Sequence, residues 1–263
     1  MKPHWIISTT TLFKNSKALL LTFAASLVMI TAIGGCIFAD SKEKKENKSP
    51  EELFKEGFEK LSKEYRNAEV RSLNLENSPR KGAKDPAITI VEYADFMCPH
   101  CNYMAQTLNA SKKRCANLIQ VVYKHFPLDK NCNSSMRQQL HEGACELSYA
   151  SYCAQKQGKF WQMHDAIFSA QKELRPASRD KIDSLARKAG LSMGSFKGCM
   201  NSSSTKDVIA ADIKEANDFK IQSTPTVFIN GKKINIQMPL VIEMIAEQEG
   251  KAKFNKPVAC QPE

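Results

Sequence analysis

The run Ile88-Thr89-Ile90-Val91-Glu92-Tyr93-Ala94 is rich in β-branched and aromatic residues. It leads within a few residues into Cys98-Pro99-His100-Cys101 and an amphipathic stretch with Met104, Ala105 and Leu108. Such composition predicts a buried strand, and the spacing after it predicts a helix from Asn102 onward. Leu118-Ile119-Gln120-Val121-Val122-Tyr123 predicts another strand, and strand, helix and strand in succession imply a crossover over a sheet core, an α/β layered fold. The two cysteines thus stand at a helix N-terminus. There they can close a small disulfide ring, while unpaired backbone N–H groups and the helix dipole stabilise a thiolate on Cys98. Pro99 holds the turn, and His100 adds a donor or a positive charge.

Half of a zinc site has the same cysteine spacing. A zinc ribbon needs a second such pair, and this chain has none; instead, Thr224-Pro225-Thr226-Val227-Phe228-Ile229 supplies a proline-led strand far downstream. With these motifs the chain resembles the DsbA-like thiol-disulfide oxidoreductases, a branch of the thioredoxin superfamily, over roughly residues 76 to 250. The resemblance implies a thioredoxin fold with a helical insertion domain. It also implies that Cys98 is the exposed nucleophile, Cys101 the buried resolving thiol, and Pro99-His100 the dipeptide typical of oxidising members. Thr224-Pro225 matches the loop whose cis proline lies against the cysteine pair, where the backbone pairs with an extended substrate strand. Glu92 matches a carboxylate behind the resolving cysteine, placed to relay a proton; without the resemblance it reads as a surface carboxylate at a strand end.

The activity so implied is introduction of disulfide bonds into reduced secreted or envelope proteins, with the Cys98–Cys101 disulfide as redox centre and neither a separate cofactor nor a metal. A membrane quinone oxidase, DsbB-like or vitamin-K-epoxide-reductase-like, would restore the disulfide. The second of these is suggested by Phe126-Pro127-Leu128-Asp129, Cys132-Asn133, His141 with Ala144-Cys145, Cys153-Ala154, and Gln157-Gly158-Lys159-Phe160-Trp161 with His164-Asp165, which resemble a subgroup some of whose members occur with such oxidases. Two rival readings remain. One is an envelope isomerase or reductase, since threonine before the proline also occurs in isomerase-like relatives. The other is a surface lipoprotein that uses a thioredoxin scaffold for binding.

Nine cysteines argue for an oxidising compartment. Setting aside Cys36, Cys98 and Cys101 leaves an even remainder, for which many pairings are open. A Cys132–Cys145 bridge closing a short loop is preferred to a metal site shared with His141, which lacks a fourth ligand. Cys153 and Cys199 are candidate partners across the insertion, and Cys115 with Cys260 is what remains. Trp161, Phe160 and Phe168 read as core, and His125 and His164 as hydrogen-bonded structural residues.

The net charge of +10 invites a nucleic-acid reading. Lys2, Lys14 and Lys17 belong to a targeting segment, and the other basic residues are interleaved with acidic ones, so no nucleic-acid stripe exists. Residues 1–35 have the basic and apolar regions of a secretory signal. Ile33-Gly34-Gly35-Cys36 resembles a bacterial lipoprotein box with Cys36 as the lipidated residue, although Ile33 stands where leucine is commoner; the uncharged run is also long enough for a retained membrane helix, and a fully released protein is the third reading. The protein is therefore expected in the bacterial cell envelope, facing the periplasm, held to a membrane by a lipid anchor. Residues 36–50 read as a linker, and 51–75 as a helix with a Ser49/Glu52 capping box, then an edge strand over Val70–Leu75. In that helix Phe54, Phe58, Leu61 and Tyr65 form a stripe that packs on the chain's own domain or on a second copy. Residues 76–130 form the first half of the thioredoxin fold, 131–202 the insertion and 203–263 the second half. Within the last part Asn230-Gly231 predicts a hairpin turn, and Pro239–Gln248 a closing helix.

Overall fold

The computed structural model describes residues 49–234 and 239–261. The expected signal segment, Cys36 and most of the linker lie outside the described residues. The chain divides into two compact units, one ending at Lys63 and the other running from Glu64.

Helix α1 (Pro50–Asn67) spans that division. At its start Ser49 N–H donates to Glu52 and Glu52 N–H donates to Ser49 Oγ, so two donors that helix geometry leaves unpaired are satisfied reciprocally. In the second unit Tyr65 is buried, with Lys232 Nζ 4.5 Å from the centre of its ring.

The second unit is built on a five-stranded sheet of order β1-β3-β2-β4-β5, with β1 Arg80–Gly82, β2 Ile88–Ala94, β3 Ile119–His125, β4 Thr226–Ile229 and β5 Lys232–Ile234. β2 and β3 run parallel in the register Ile88↔Ile119 to Ala94↔His125, whereas β4 lies antiparallel to β2. Six of the seven residues are buried in each of these two central strands, which is why both read as apolar runs rather than alternating ones. Helix α2 (Pro99–Arg114) links them. A block of four helices follows β3: α3 (Ala144–Gln155), α4 (Phe160–Ser169), α5 (Arg179–Lys188) and α6 (Met193–Met200). Helix α7 (Ser203–Asp218) then returns the chain to β4, and α8 (Pro239–Phe254) is the last helix. This is the α/β architecture with inserted helices that was expected.

Several local expectations change. Val70–Leu75 makes one bridge, Val70 to Lys232, and no strand. Arg71 N–H donates to Gly231 O at 2.9 Å, but beyond it Asn74 N–H donates to Glu215 Oε1 at 2.6 Å and Lys124 Nζ to Asn74 O, so that part of the segment is bound through side chains instead of a ladder. One edge strand is Arg80–Gly82, read from the sequence as loop; there Gly82 takes a φ of 110°, open to glycine and strained for other residues. The closing helix continues past Gln248 to Phe254. Trp161 is only partly buried, with its ring under Lys81 Nζ at 3.9 Å and its N–H donating to Arg80 O. Asn230-Gly231 forms the expected turn, both residues at positive φ.

Candidate active site

β2 ends at Ala94, and Asp95-Phe96-Met97 carries the chain to Cys98, the N-cap of α2. Pro99 opens the helix, where a missing N–H costs nothing. Cys98 carbonyl accepts from Cys101 N–H at 3.1 Å and from Asn102 N–H at 3.3 Å, so both cysteines sit in the first turn. Among the described residues these two are the free thiols.

Across the site the Thr224–Pro225 peptide is cis, and Cys98 Sγ lies 3.4 Å from Thr224 O. That loop roofs the thiol, leaving Cys98 only 4% exposed. The expected exposed nucleophile is therefore a covered one, and the neighbouring His100 is the exposed residue. His100, Tyr103, Met104 and Thr224–Val227 line a cleft of about 680 Å³ beside the pair.

The two thiols are pushed in opposite directions. A hydrogen bond from Cys101 lowers Cys98 to about 5 against the opposing effect of burial, and contacts with Thr224 and with the backbone N–H groups of Cys101 and His100 add to the lowering. Burial holds Cys101 well above the usual thiol value, with the Cys98 hydrogen bond and the Glu92 charge acting the same way. Glu92 is 2% exposed at the middle of β2, so the reading as a surface carboxylate fails. Burial pushes it up to about 8, Lys81 opposes this, and its Oε1 has no hydrogen-bond partner. Burial in turn pulls Lys81 down to about 8.

Four residues at the site were not recognised there from sequence. Asp95 is fully buried and accepts hydrogen bonds from Met97 and Leu128 N–H, with His141 Nδ1 2.8 Å away. His141, weighed from sequence as a metal ligand, faces this carboxylate instead. Gln171 Nε2 donates to Phe96 O and Cys98 O at 2.8 and 2.9 Å, and Arg175 donates to Met97 O. Asp95 had a signal in its place three residues before Cys98. Gln171 and Arg175 had none.

The other six cysteines among the described residues are joined Cys132–Cys145, Cys153–Cys199 and Cys115–Cys260. Among the described residues no cluster of His, Cys, Asp and Glu suits a metal ion, and no helix is long and apolar enough to cross a membrane. His125 is buried among Phe96, Tyr123 and Phe160, and neither of its ring nitrogens has a hydrogen-bond partner, contrary to the expected bonded histidine. Burial lowers it to about 3, which keeps the imidazole neutral. His164 Nδ1 lies 2.7 Å from Asp165 Oδ1, the structural role expected of it.

A family model described as Thioredoxin matches residues 74–245. The crystal structure of oxidised BdbD from Bacillus subtilis superposes with a TM-score of 0.56 at 20% identity, covering 70% of this chain and 98% of that one. Reduced DsbA from Mycobacterium tuberculosis gives 0.51 at 22% identity, covering 66% and 92%. These likenesses establish the fold. A Na(+)/H(+) antiporter, NhaA 1 of Mycolicibacterium gilvum, is 28% identical over 166 residues, 62% of this chain and 25% of the antiporter. The chain thus spans about a quarter of the length of the curated relatives it matches.

Proposed function

The chain belongs to the thioredoxin family and has the DsbA-like form of its fold, and from that premise we propose that it is a thiol-disulfide oxidoreductase that donates disulfide bonds to secreted or envelope proteins through Cys98 and Cys101. The observation that carries this reading is the opposite perturbation of the two thiols beside the cis Thr224–Pro225 peptide. In the oxidised enzyme a substrate thiolate attacks Cys98 Sγ. The Cys98–Cys101 bond breaks, and Cys101 leaves and takes up a proton. A second substrate thiolate then attacks the substrate sulfur of the mixed disulfide and expels Cys98 as a thiolate. Two electrons pass from the substrate dithiol to the enzyme pair.

A low Cys98 pKa makes that thiolate a good leaving group and stabilises the reduced enzyme, so the same electrostatics produce oxidising power. This favours the donor reading over the isomerase or reductase one. The cleft beside Thr224 is the place for an extended substrate segment. A membrane quinone oxidase, DsbB-like or vitamin-K-epoxide-reductase-like, would restore the disulfide. Three further disulfides suit an oxidising compartment such as the periplasm, and lipidation at Cys36 would hold the protein near such a partner.

The test is the reduction potential of the full chain in glutathione buffers, with Cys98→Ala identifying the active pair. A potential clearly above that of glutathione is expected, and a thioredoxin-like value would sink the donor reading. The slope with pH is a second check. The stabilisation of the reduced form by the Cys98 thiolate is present above about pH 5 and is lost as pH falls through that value. The potential should therefore drop by about 30 mV per pH unit above pH 5, where one proton accompanies two electrons, and by about 60 mV below it, where two do.

Glu92, buried behind the pair, is assigned the proton relay for Cys101. Its folded pKa is raised, so the carboxyl favours folding at low pH and increasingly opposes it as pH rises towards about 8. Glu92→Gln should slow mixed-disulfide formation by roughly 10- to 100-fold. It should also raise stability above pH 8 by on the order of a few kcal/mol. Stopped-flow kinetics and urea melts at two pH values read these effects separately; unchanged kinetics with raised stability would remove Glu92 from the mechanism.

A further inference from the structure

Asp95 is the point at which the cysteine pair meets the loop before α3. Its N–H is directed at Cys101 Sγ at 3.5 Å, and its carbonyl accepts from Cys98 N–H at 3.1 Å. Its carboxylate takes Met97 N–H at 2.6 Å on Oδ1, and Leu128 N–H at 2.7 Å on Oδ2, beside His141 Nδ1 at 2.8 Å. A carboxylate only accepts, so Nδ1 is the donor. The loop carrying His141 is fastened at several points. The Cys132–Cys145 disulfide closes it, His141 N–H donates to Leu128 O at 3.0 Å, and Asp129 Oδ2 accepts from Gly143 and Cys145 N–H. The imidazole is thereby held in one orientation, with its side chain 18% exposed while that of Asp95 is sealed from solvent.

Resting on the oxidoreductase reading above, we propose that His141 is a positioning residue of the redox site, which grips Asp95 through Nδ1–H and, when protonated, cancels the Asp95 charge beside Cys98 and so stabilises the Cys98 thiolate. The groups facing His141 are Asp95, Cys98 and Arg175. The Asp95 hydrogen bond pushes His141 upward and burial opposes it; the Asp95 and Cys98 charges raise it further, and Arg175 lowers it. Below its raised pKa the imidazolium and carboxylate form a neutral pair. As pH rises through that value the proton leaves, the Asp95 charge stands uncompensated, and the thiolate loses support.

Two substitutions in the full chain separate charge from structure. His141→Leu removes both the hydrogen bond and the charge. In His141→Asn, Nδ2 occupies the place of Nδ1 and donates to Asp95 without a titrating charge. Thiolate absorbance of Cys98 against pH, and the exchange equilibrium with glutathione, are the readouts. Both variants should raise the Cys98 midpoint by about one unit, a tenfold loss of thiolate, and shift the exchange equilibrium about tenfold towards the oxidised enzyme, or about 30 mV. Asn should retain most of the thermal stability that Leu loses. A changed melting temperature in the Leu variant, with the Cys98 midpoint unmoved in both, would overturn the proposal and leave His141 a purely structural residue. If the unchanged protein fails to exchange with glutathione, the oxidoreductase reading falls, whereas the Cys98 titration still judges His141.

Discussion

Cys98→Ser is expected to abolish disulfide exchange, lowering the rate by on the order of a thousandfold or more, while the fold persists. The hydroxyl is nearly isosteric with the thiol, so the covered site beneath the cis Thr224–Pro225 loop stays filled. The chemistry does not survive. Serine offers no thiolate at neutral pH, whereas Cys98, lowered to about 5 chiefly by its hydrogen bond from Cys101, is almost wholly ionised there. Cys101→Ser should behave differently. It leaves Cys98 able to attack a disulfide and removes the thiol that resolves the product, so mixed disulfides with client proteins should accumulate. Non-reducing electrophoresis checks both variants: Cys98→Ser is compared with the pre-oxidised unchanged protein on a reduced, unfolded client, and Cys101→Ser is incubated with a disulfide-bonded client, whose disulfide the Cys98 thiolate opens while the second client sulfur leaves as a thiolate. Undiminished oxidation by Cys98→Ser would transfer the reaction to another cysteine pair and end the present assignment.

The double substitution Cys153→Ala with Cys199→Ala is expected to cost about 4 kcal/mol of stability. The two cysteines are 46 residues apart, and opening a loop of that size restores denatured-state entropy equivalent to about 4 kcal/mol. Cys153 on α3 is fully buried, and Cys199 is on α6; Thr205 near the start of α7 donates from Oγ1 to Cys199 O at 2.7 Å. The bridge therefore ties together helices that form one side of the core, and their separation should be cooperative. For a domain of this size the melting temperature should fall by roughly 10 °C. The Cys115–Cys260 loop is longer, with a separation of 145 residues, but Cys260 sits on the tail beyond α8. Its loss should release little beyond that tail, and loop length alone overstates its worth. Calorimetry of both variants ranks them; equal losses would show that the tail is as integral to the fold as the helical block.

The site was legible wherever chemistry and local pattern coincide. Cys98 and Cys101 follow a β-branched strand and open a helix, and Thr224-Pro225 opens another strand, so short-range features announce both halves. Burial was harder to read. Glu92 lies in a run that is otherwise mostly apolar, which hinted at an interior position, yet nothing local told how completely it is enclosed. Val70–Leu75 has strand-like composition and is not a strand, because Glu215 and Lys124 bind Asn74 and leave no continuous ladder. Arg80–Gly82 looks like loop and is a strand, since β3 presents an open edge there.

From the sequence alone come the α/β class, the redox pair at a helix start and the proline-led strand opposite it. Each is encoded by residues a few positions apart, within reach of periodicity and turn chemistry. Only the tertiary structure brings His141 to Asp95 across 46 positions, Gln171 to Cys98 across 73 and Arg175 to Met97 across 78. Hydrogen bonds and charge interactions act over a few ångströms of space regardless of distance along the chain. The pattern of residues therefore specifies where the thiols stand, and the packing of the inserted helices decides which groups surround them and how readily they ionise.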